Sequence, residues 1–143
     1  MTERLSIEEV LQNQGLYVGV VSGDSMQPML RNREDTVVVR AKDRRLRVGE
    51  VALFHADEHY ALHRVIAVCE DGYLMRGDNR FTDEWIEESE TLGILTEFYK
   101  DEQRIVCTDK HYLRYVNRRL RFFPIRRFMF KVKKKVSGLF HKK

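Results

Sequence analysis

Short runs of β-branched and aromatic residues, separated by polar turn clusters, occupy most of this chain of 143 residues. The runs fall at residues 16–21, 36–40, 50–54, 60–68 and 73–75, with a further one at 93–99. Many short strands without alternating helices favour an antiparallel sheet over a parallel one. The sequence therefore predicts a mainly β fold, with a bent, barrel-like antiparallel sheet that residues 93–99 close.

A short helix is predicted ahead of the first strand. Ser6 can act as its N-cap, with Glu9 three residues later to complete a capping box. Leu5 can pack on Val10 as a hydrophobic staple. Gly15 is suited to end the helix, because glycine readily adopts the left-handed conformation found there. No chemistry is assigned to this helix.

Charge divides the chain at Asp109, although the formal net charge is only +4. Residues 1–109 contain all 22 Asp and Glu and half of the 26 Lys and Arg, and residues 110–143 contain the other half. We expect a folded domain over residues 1–109 and a basic, amphipathic helical tail over residues 110–143. Pro124 is expected to break or kink the helix of that tail.

The basic tail, residues 110–143, suggests three partners. Its Lys and Arg side chains alternate with Phe, Leu and Met, which suits a helix lying on an anionic membrane surface. The same side chains could bind the phosphates of a nucleic acid, but no base-recognition motif accompanies them, so the membrane is favoured. The tail could also pack on the acidic domain through charge complementarity.

The sequence predicts a cytosolic protein, free or peripheral on the inner face of the membrane. It contains no apolar stretch of transmembrane length, and no apolar segment follows its first four residues as in a signal peptide. In a reducing compartment Cys69 and Cys107 are expected to be free thiols rather than a disulfide or catalytic groups.

A serine follows the first predicted strand, in the segment 22–30 with sequence SGDSMQPML. Ser25 stands where the backbone must turn sharply, which would expose its hydroxyl and leave nearby amides free to bind an oxyanion. Met26, Met29 and Leu30 are expected to anchor the turn in the core. Taken alone, Gly-Asp-Ser is also ordinary turn chemistry.

His63 is the candidate base for this serine. An imidazole with a pKa near its ordinary value of about 6.5 can accept the hydroxyl proton at neutral pH, so activity should rise through about pH 6 to 7.5. In a strand, Ala61, His63 and Val65 would share one face, and Leu62 and Arg64 the other. The alternative is a histidine that only packs on the surface or in the core.

Four segments in order resemble the type I signal peptidases and their relatives, the self-cleaving SOS repressors. They are a Ser-Met-x-Pro box at Ser25, a Gly-acid-Val strand at 49–51, a base followed by Arg-Val at His63, and a Gly-Asp-Asn box at 77–79. Bacterial signal peptidases and the repressors have lysine as the base. The histidine makes the chain more similar to the endoplasmic-reticulum-type and archaeal enzymes. The resemblance spans roughly residues 16–95.

The resemblance implies a signal-peptidase-like catalytic core in which Ser25 is the nucleophile and His63 the base. It implies an aspartate that orients the histidine, either Asp83 or Asp78, with Asp83 mildly favoured because it follows the box as in the histidine-dependent relatives. It also implies an extended peptide substrate docked on a strand edge, with small residues before the cut, and neither a metal nor an organic cofactor.

The oxyanion would be bound by the backbone N–H of Ser25 and one further donor. Ser22, Gly23 and Met26 are the candidates for this donor and for contact with substrate. Signal peptidases often have a serine two residues before the nucleophile, but here that position is Gly23.

Three other functions stay open. His55, Glu58 and His59 match the inverted zinc-peptidase pattern H-x-x-E-H, but that motif needs a helix and the local pattern predicts a β-hairpin. A non-catalytic module on the same scaffold could bind a membrane or nucleic acid through the tail. Self-cleavage is the third alternative, although no DNA-binding domain precedes the core.

Overall fold

The computed structural model describes residues 6–141, and this part of the chain forms eight strands and three α-helices. In chain order the elements are α1 (Ile7–Gln14), β1 (Leu16–Val20), β2 (Thr36–Ala41), β3 (Val51–Ala56), β4 (His59–Val68), β5 (Gly72–Arg76), β6 (Glu84–Glu87), a 3-10 helix (Glu88–Glu90), β7 (Thr91–Lys100), β8 (Gln103–Val106), α2 (Lys110–Arg121) and α3 (Phe123–His141). The predicted short helix, β-rich centre and helical tail are all present.

All strand pairs are antiparallel, and together they form one curled half-barrel sheet. The strand order is β1-β2-β7-β3-β4-β5-β6, and β8 pairs with β7. Register shifts interrupt three of the pairs, at Val38/Val39, at Leu53/Phe54 and between Val65 and Ala67. Such irregularities bend a strand and increase its twist, which gives the sheet its curl. The mainly β fold is therefore confirmed.

Strand β7 confirms the predicted run at 93–99 and lies in the interior of the sheet. It pairs with β2 on one side and with β3 on the other. A strand's neighbours depend on long-range pairing, which a local sequence pattern does not specify. The predicted strand is therefore present, and it joins β2 to β3 in the interior of the sheet.

The alternation of side chains along the strands produces two hydrophobic clusters on opposite faces of the sheet. In β3, Val51 and Leu53 belong to one cluster, and Ala52 and Phe54 belong to the other. In β4, Leu62 packs on the first cluster while Ala61 and Val65 belong to the second, as the predicted faces require.

Helix α1 begins and ends as its sequence predicts. The Ser6 hydroxyl accepts a hydrogen bond from the Glu9 N–H at 3.1 Å. Gly15 adopts the left-handed conformation, with φ of 71°, and its N–H donates to the Leu11 carbonyl at 2.8 Å. The predicted staple involves Leu5, which lies outside the described residues.

The two C-terminal helices differ in how they meet the sheet. Tyr112 and Val116 of α2 are buried in the first hydrophobic cluster. Helix α2 ends at its C-cap residue Phe122, and α3 begins at the next residue. Pro124 lies in the first turn of α3, where proline is well tolerated. Beyond a buried Phe123, α3 is largely exposed. Within residues 6–141, no helix combines the length and apolar character needed to cross a bilayer.

Candidate active site

The turn that carries Ser25 follows β1 and is fixed to the core by its apolar neighbours. Met26, Met29 and Leu30 are buried, as predicted, while Ser25 is half-buried. Gly23 has φ of 101°, a conformation that side-chain-bearing residues rarely adopt. The turn is therefore anchored in the core by its apolar side chains and leaves Ser25 partly exposed.

The Gly-Asp-Asn box, residues 77–79, packs against the Ser25 turn and is hydrogen-bonded to its backbone. The Asn79 N–H donates to the Ser25 carbonyl at 2.9 Å, and the Asn79 side-chain amide donates to the Asp24 carbonyl at 3.1 Å. A Cβ at Gly77 would come within 2.5 Å of the Ser25 carbonyl oxygen, so only glycine permits this approach. Asn79 and Gly77 thus position the serine backbone rather than the hydroxyl.

Asp24, the acidic residue before Ser25, is paired with an arginine. Its carboxylate accepts a hydrogen bond from the Arg80 guanidinium at 2.7 Å. This hydrogen bond, with the positive charge of Arg80, lowers the pKa of Asp24 below its ordinary value. Arg80 therefore offsets the negative charge next to the candidate oxyanion site.

His63 lies on β4 and is largely buried against Phe54, with ring centroids 5.3 Å apart. Its Nδ1 contacts a carboxylate oxygen of Glu84, the first residue of β6. Burial lowers the pKa of His63, and the negative charge and hydrogen bond of Glu84 oppose that shift without cancelling it. The imidazole is therefore neutral at neutral pH, the state that a general base requires.

The candidate nucleophile, the candidate base and the carboxylate beside that base all line one cleft of about 560 Å³. Ser25, His63 and Glu84 line it together with Ser22, Gly23 and Met26. The described residues include no hydrogen bond between the Ser25 hydroxyl and His63. In unliganded sites such a bond is often long and forms when substrate binds.

Asp78 contacts Arg64 rather than His63. The Arg64 Nε and Nη2 donate to the two Asp78 carboxylate oxygens at 2.8 and 2.7 Å. Burial disfavours the guanidinium charge, but the hydrogen bond and charge of Asp78 outweigh it and raise the pKa of Arg64. The Tyr115 hydroxyl donates to the same carboxylate at 2.8 Å. These contacts make Asp78 a structural anchor between β4 and α2.

Asp83 is paired with Arg76, whose Nε donates to it at 2.6 Å. Within residues 6–141 neither Asp83 nor Asp78 makes a hydrogen bond with His63, so the carboxylate beside the histidine is that of Glu84. The sequence analysis missed Glu84 because the resemblance favours an aspartate. Glu84 directly follows the favoured Asp83 in the sequence, and this position could have indicated it as a further candidate.

The predicted oxyanion donors differ in their availability. The Gly23 N–H donates to the Asn32 side-chain oxygen at 2.8 Å and is therefore occupied. In the part of the chain that the structure describes, the N–H groups of Ser25 and Met26 have no hydrogen-bond acceptor. Ser22 is exposed at the rim of the cleft.

The H-x-x-E-H segment lies on the β3–β4 hairpin. Ala56 pairs with His59, and Glu58 lies in the turn between the strands. The two histidines therefore lack the helical arrangement that the zinc motif requires, and the predicted β-hairpin is confirmed.

Both cysteines are free, as predicted. Burial raises the pKa of the Cys107 thiol to about 11, which keeps it protonated at neutral pH. Because the thiolate is the reactive form of cysteine, Cys107 is not an activated nucleophile.

Comparison with known families identifies the class of protein. The sequence model of the Peptidase S24-like family matches residues 2–98, which include the Ser25 turn, His63 and the Gly-Asp-Asn box. The chain belongs to this family. A search of curated proteins finds no match.

Proposed function

We propose that this protein is a serine endopeptidase with Ser25 as nucleophile and His63 as general base. The observation that carries the proposal is the shared cleft, which is lined both by the half-buried Ser25 and by a largely buried, neutral histidine with a carboxylate on Nδ1. Membership of a peptidase family supports the same chemistry. The histidine as base, as in the endoplasmic-reticulum-type and archaeal relatives, is part of the proposal.

We propose Glu84, rather than Asp83 or Asp78, as the group that orients His63. With the Nδ1 proton donated to Glu84, the Nε2 atom is left unprotonated and can accept a proton. Asp83 and Asp78 are already paired with arginines. Glu84 would also stabilise the imidazolium that forms during the reaction.

The proposed reaction proceeds through an acyl-enzyme. His63 Nε2 takes the hydroxyl proton as Ser25 Oγ bonds to the scissile carbonyl carbon, and the N–H groups of Ser25 and Met26 stabilise the resulting oxyanion. The same proton passes from His63 to the leaving amine as the C–N bond breaks. Water then attacks the ester, with His63 again as base, and releases the acid and the free serine.

The proposed substrate is an extended peptide that adds to the free edge of β1. Among the described strands, β1 is at one end of the sheet order and pairs only with β2. Its Val18 and Val20 are exposed, and Val20 lines the cleft beside the Ser25 turn. A peptide paired with this edge would run directly toward the nucleophile.

A cytosolic location, free or at the inner membrane face, also stays part of the proposal. It is supported by the two free thiols, which suit a reducing compartment.

Cleavage of a diverse peptide library, followed by mass spectrometry, tests the proposed activity. We expect wild-type protein to cut a subset of peptides, Ser25→Ala to cut none, and Ser89→Ala, at an exposed serine outside the cleft, to retain cleavage. The residues flanking the cuts would define specificity. Equal cleavage by wild type and Ser25→Ala would contradict the proposal. Cleavage only of the protein's own chain would favour self-processing over action on other substrates.

A further inference from the structure

Helix α3 exposes an apolar stripe that the described residues leave uncovered. Its members are Ile125, Phe128, Met129, Val132 and Val136, each with between 40% and 66% of its surface exposed. Their positions recur every three or four residues, with Phe128 and Met129 adjacent, which places them on one face of the helix within an arc of about 100°. Five large apolar side chains in one row are more than the scattered exposure that ordinary protein surfaces show.

Basic side chains border this stripe on both sides. At helical periodicity Lys133 lies along one border, and Lys131 and Lys135 lie along the other. Arg127 and Lys134 lie on the opposite face of the helix. Residues 123–141 contain six Lys and Arg and no Asp or Glu.

The helix is attached to the protein by a different face from the one that bears the stripe. Phe123 is buried, and the Phe130 ring stacks on Phe81 with centroids 4.3 Å apart. Arg126 donates to the Arg119 carbonyl at 2.8 Å and to the Asp78 carbonyl at 3.4 Å. These contacts hold α3 on the protein while the stripe faces away from it.

We propose that α3 binds the surface of an anionic lipid bilayer, with the stripe inserted among the acyl chains and the bordering lysines at the headgroups. An apolar face flanked by lysines is the arrangement that inserts into this interface. A nucleic acid would satisfy the lysines but leave the five apolar side chains in water. A second copy of the helix would bring like charges together.

This binding would place the candidate peptidase site next to the membrane. Phe81, against which Phe130 stacks, lies in the loop that continues from the Gly-Asp-Asn box. The loop residue Asn79 in turn holds the Ser25 turn. The cleft would therefore work beside a surface, although the membrane binding itself does not depend on the proposed catalysis.

Co-sedimentation of the full chain with vesicles tests the proposal. Vesicles of phosphatidylcholine alone are compared with an equal mixture of phosphatidylcholine and phosphatidylglycerol, and Ser25→Ala protein keeps peptidase activity out of the readout. We expect binding to the anionic vesicles that weakens as salt increases. The uncharged double variant Phe128→Gln/Val132→Gln should lower the partition coefficient by roughly 100-fold, because two apolar side chains no longer insert.

A matched pair of charge variants tests the orientation of the helix. Lys133→Gln/Lys135→Gln removes two charges at the border of the stripe and should weaken binding about fivefold for each. Arg127→Gln/Lys134→Gln removes the same charge from the opposite face and should weaken binding severalfold less. Circular dichroism checks that all variants remain folded.

Three outcomes would overturn the proposal. One is the absence of binding to anionic vesicles. Another is binding that Phe128→Gln/Val132→Gln leaves unchanged, accompanied by tighter binding to a DNA or RNA oligonucleotide, which would indicate a nucleic-acid surface. The last is a dimer in sedimentation velocity without lipid that Phe128→Gln/Val132→Gln dissociates.

Discussion

Replacing His63 with glutamine is expected to lower kcat/KM for peptide cleavage by roughly 10³-fold, the usual scale of general-base catalysis. Glutamine keeps the polar character of the site but cannot accept the Ser25 proton at neutral pH. His55→Gln is the matched control, because His55 is an exposed histidine on the neighbouring strand and does not line the cleft. We expect its kinetics to equal those of the wild type. A His63→Gln enzyme with wild-type kinetics would contradict this base.

The pH profile gives a second readout of the same residue. Because burial lowers the pKa of His63 below its ordinary value of 6.5, the base loses its proton, and the rate rises, at a lower pH than for an exposed histidine. The rise is therefore expected at lower pH than the sequence alone predicts. Glu84→Gln removes the charge that opposes the shift, so its profile should move to still lower pH with a smaller kcat. A Glu84→Gln profile moved to higher pH would contradict the account.

The largest expected effect on stability comes from Arg64→Met, which should lower the free energy of unfolding by about 3–5 kcal/mol. Only 1% of the Arg64 surface is exposed, and its side chain also donates to the Gly49 carbonyl at 2.7 Å and the Tyr112 hydroxyl at 3.2 Å. Methionine keeps most of the volume but leaves the buried Asp78 carboxylate without its positive partner. Urea unfolding measures the change.

Two comparisons separate this effect from a general loss of an arginine. Arg104→Met removes an exposed arginine paired with Glu97 and should leave stability almost unchanged, because solvent screens exposed ion pairs. The double variant Arg64→Met/Asp78→Asn removes both charges of the buried pair and should recover part of the loss. If Arg64→Met cost no more than Arg104→Met, the pair would not be the anchor that its contacts indicate.

Much of the fold could be predicted from the sequence because it depends on local patterns. The β-branched runs define most strands, Ser6 and Gly15 define α1, and Pro124 follows the break between α2 and α3. The central position of β7 depends on pairings between distant segments, so no local pattern indicated it. The burial of Tyr112 and Val116 also depends on contacts between distant segments, so the sequence pattern did not indicate it. The boundary drawn after residue 109 stays a prediction, although α2 packs into the core.

The candidate site was predicted only in part, for a physical reason. Ser25 and His63 stand beside chemically suggestive neighbours in the sequence, and both line the same cleft. A carboxylate's partner depends on side-chain direction, and adjacent residues of an extended segment point to opposite sides. Asp83 and Glu84 are adjacent, but Asp83 is hydrogen-bonded to Arg76 and Glu84 to His63. A prediction that is wrong by one residue therefore selects the wrong carboxylate as the partner of the histidine. The pairing of Asp78 with Arg64 was likewise invisible without the fold.

Labelling with a fluorophosphonate, which reacts with activated serines whatever the substrate, tests the central claim most directly. We expect one adduct per chain in the intact mass, assigned to Ser25 by peptide mapping. The adduct should be absent from Ser25→Ala, strongly reduced in His63→Gln and unchanged in Ser89→Ala, which alters an exposed serine outside the cleft. An adduct at Ser25 that forms equally fast without His63 would contradict the proposed base. No adduct, or one at another serine, would contradict a serine peptidase built on Ser25.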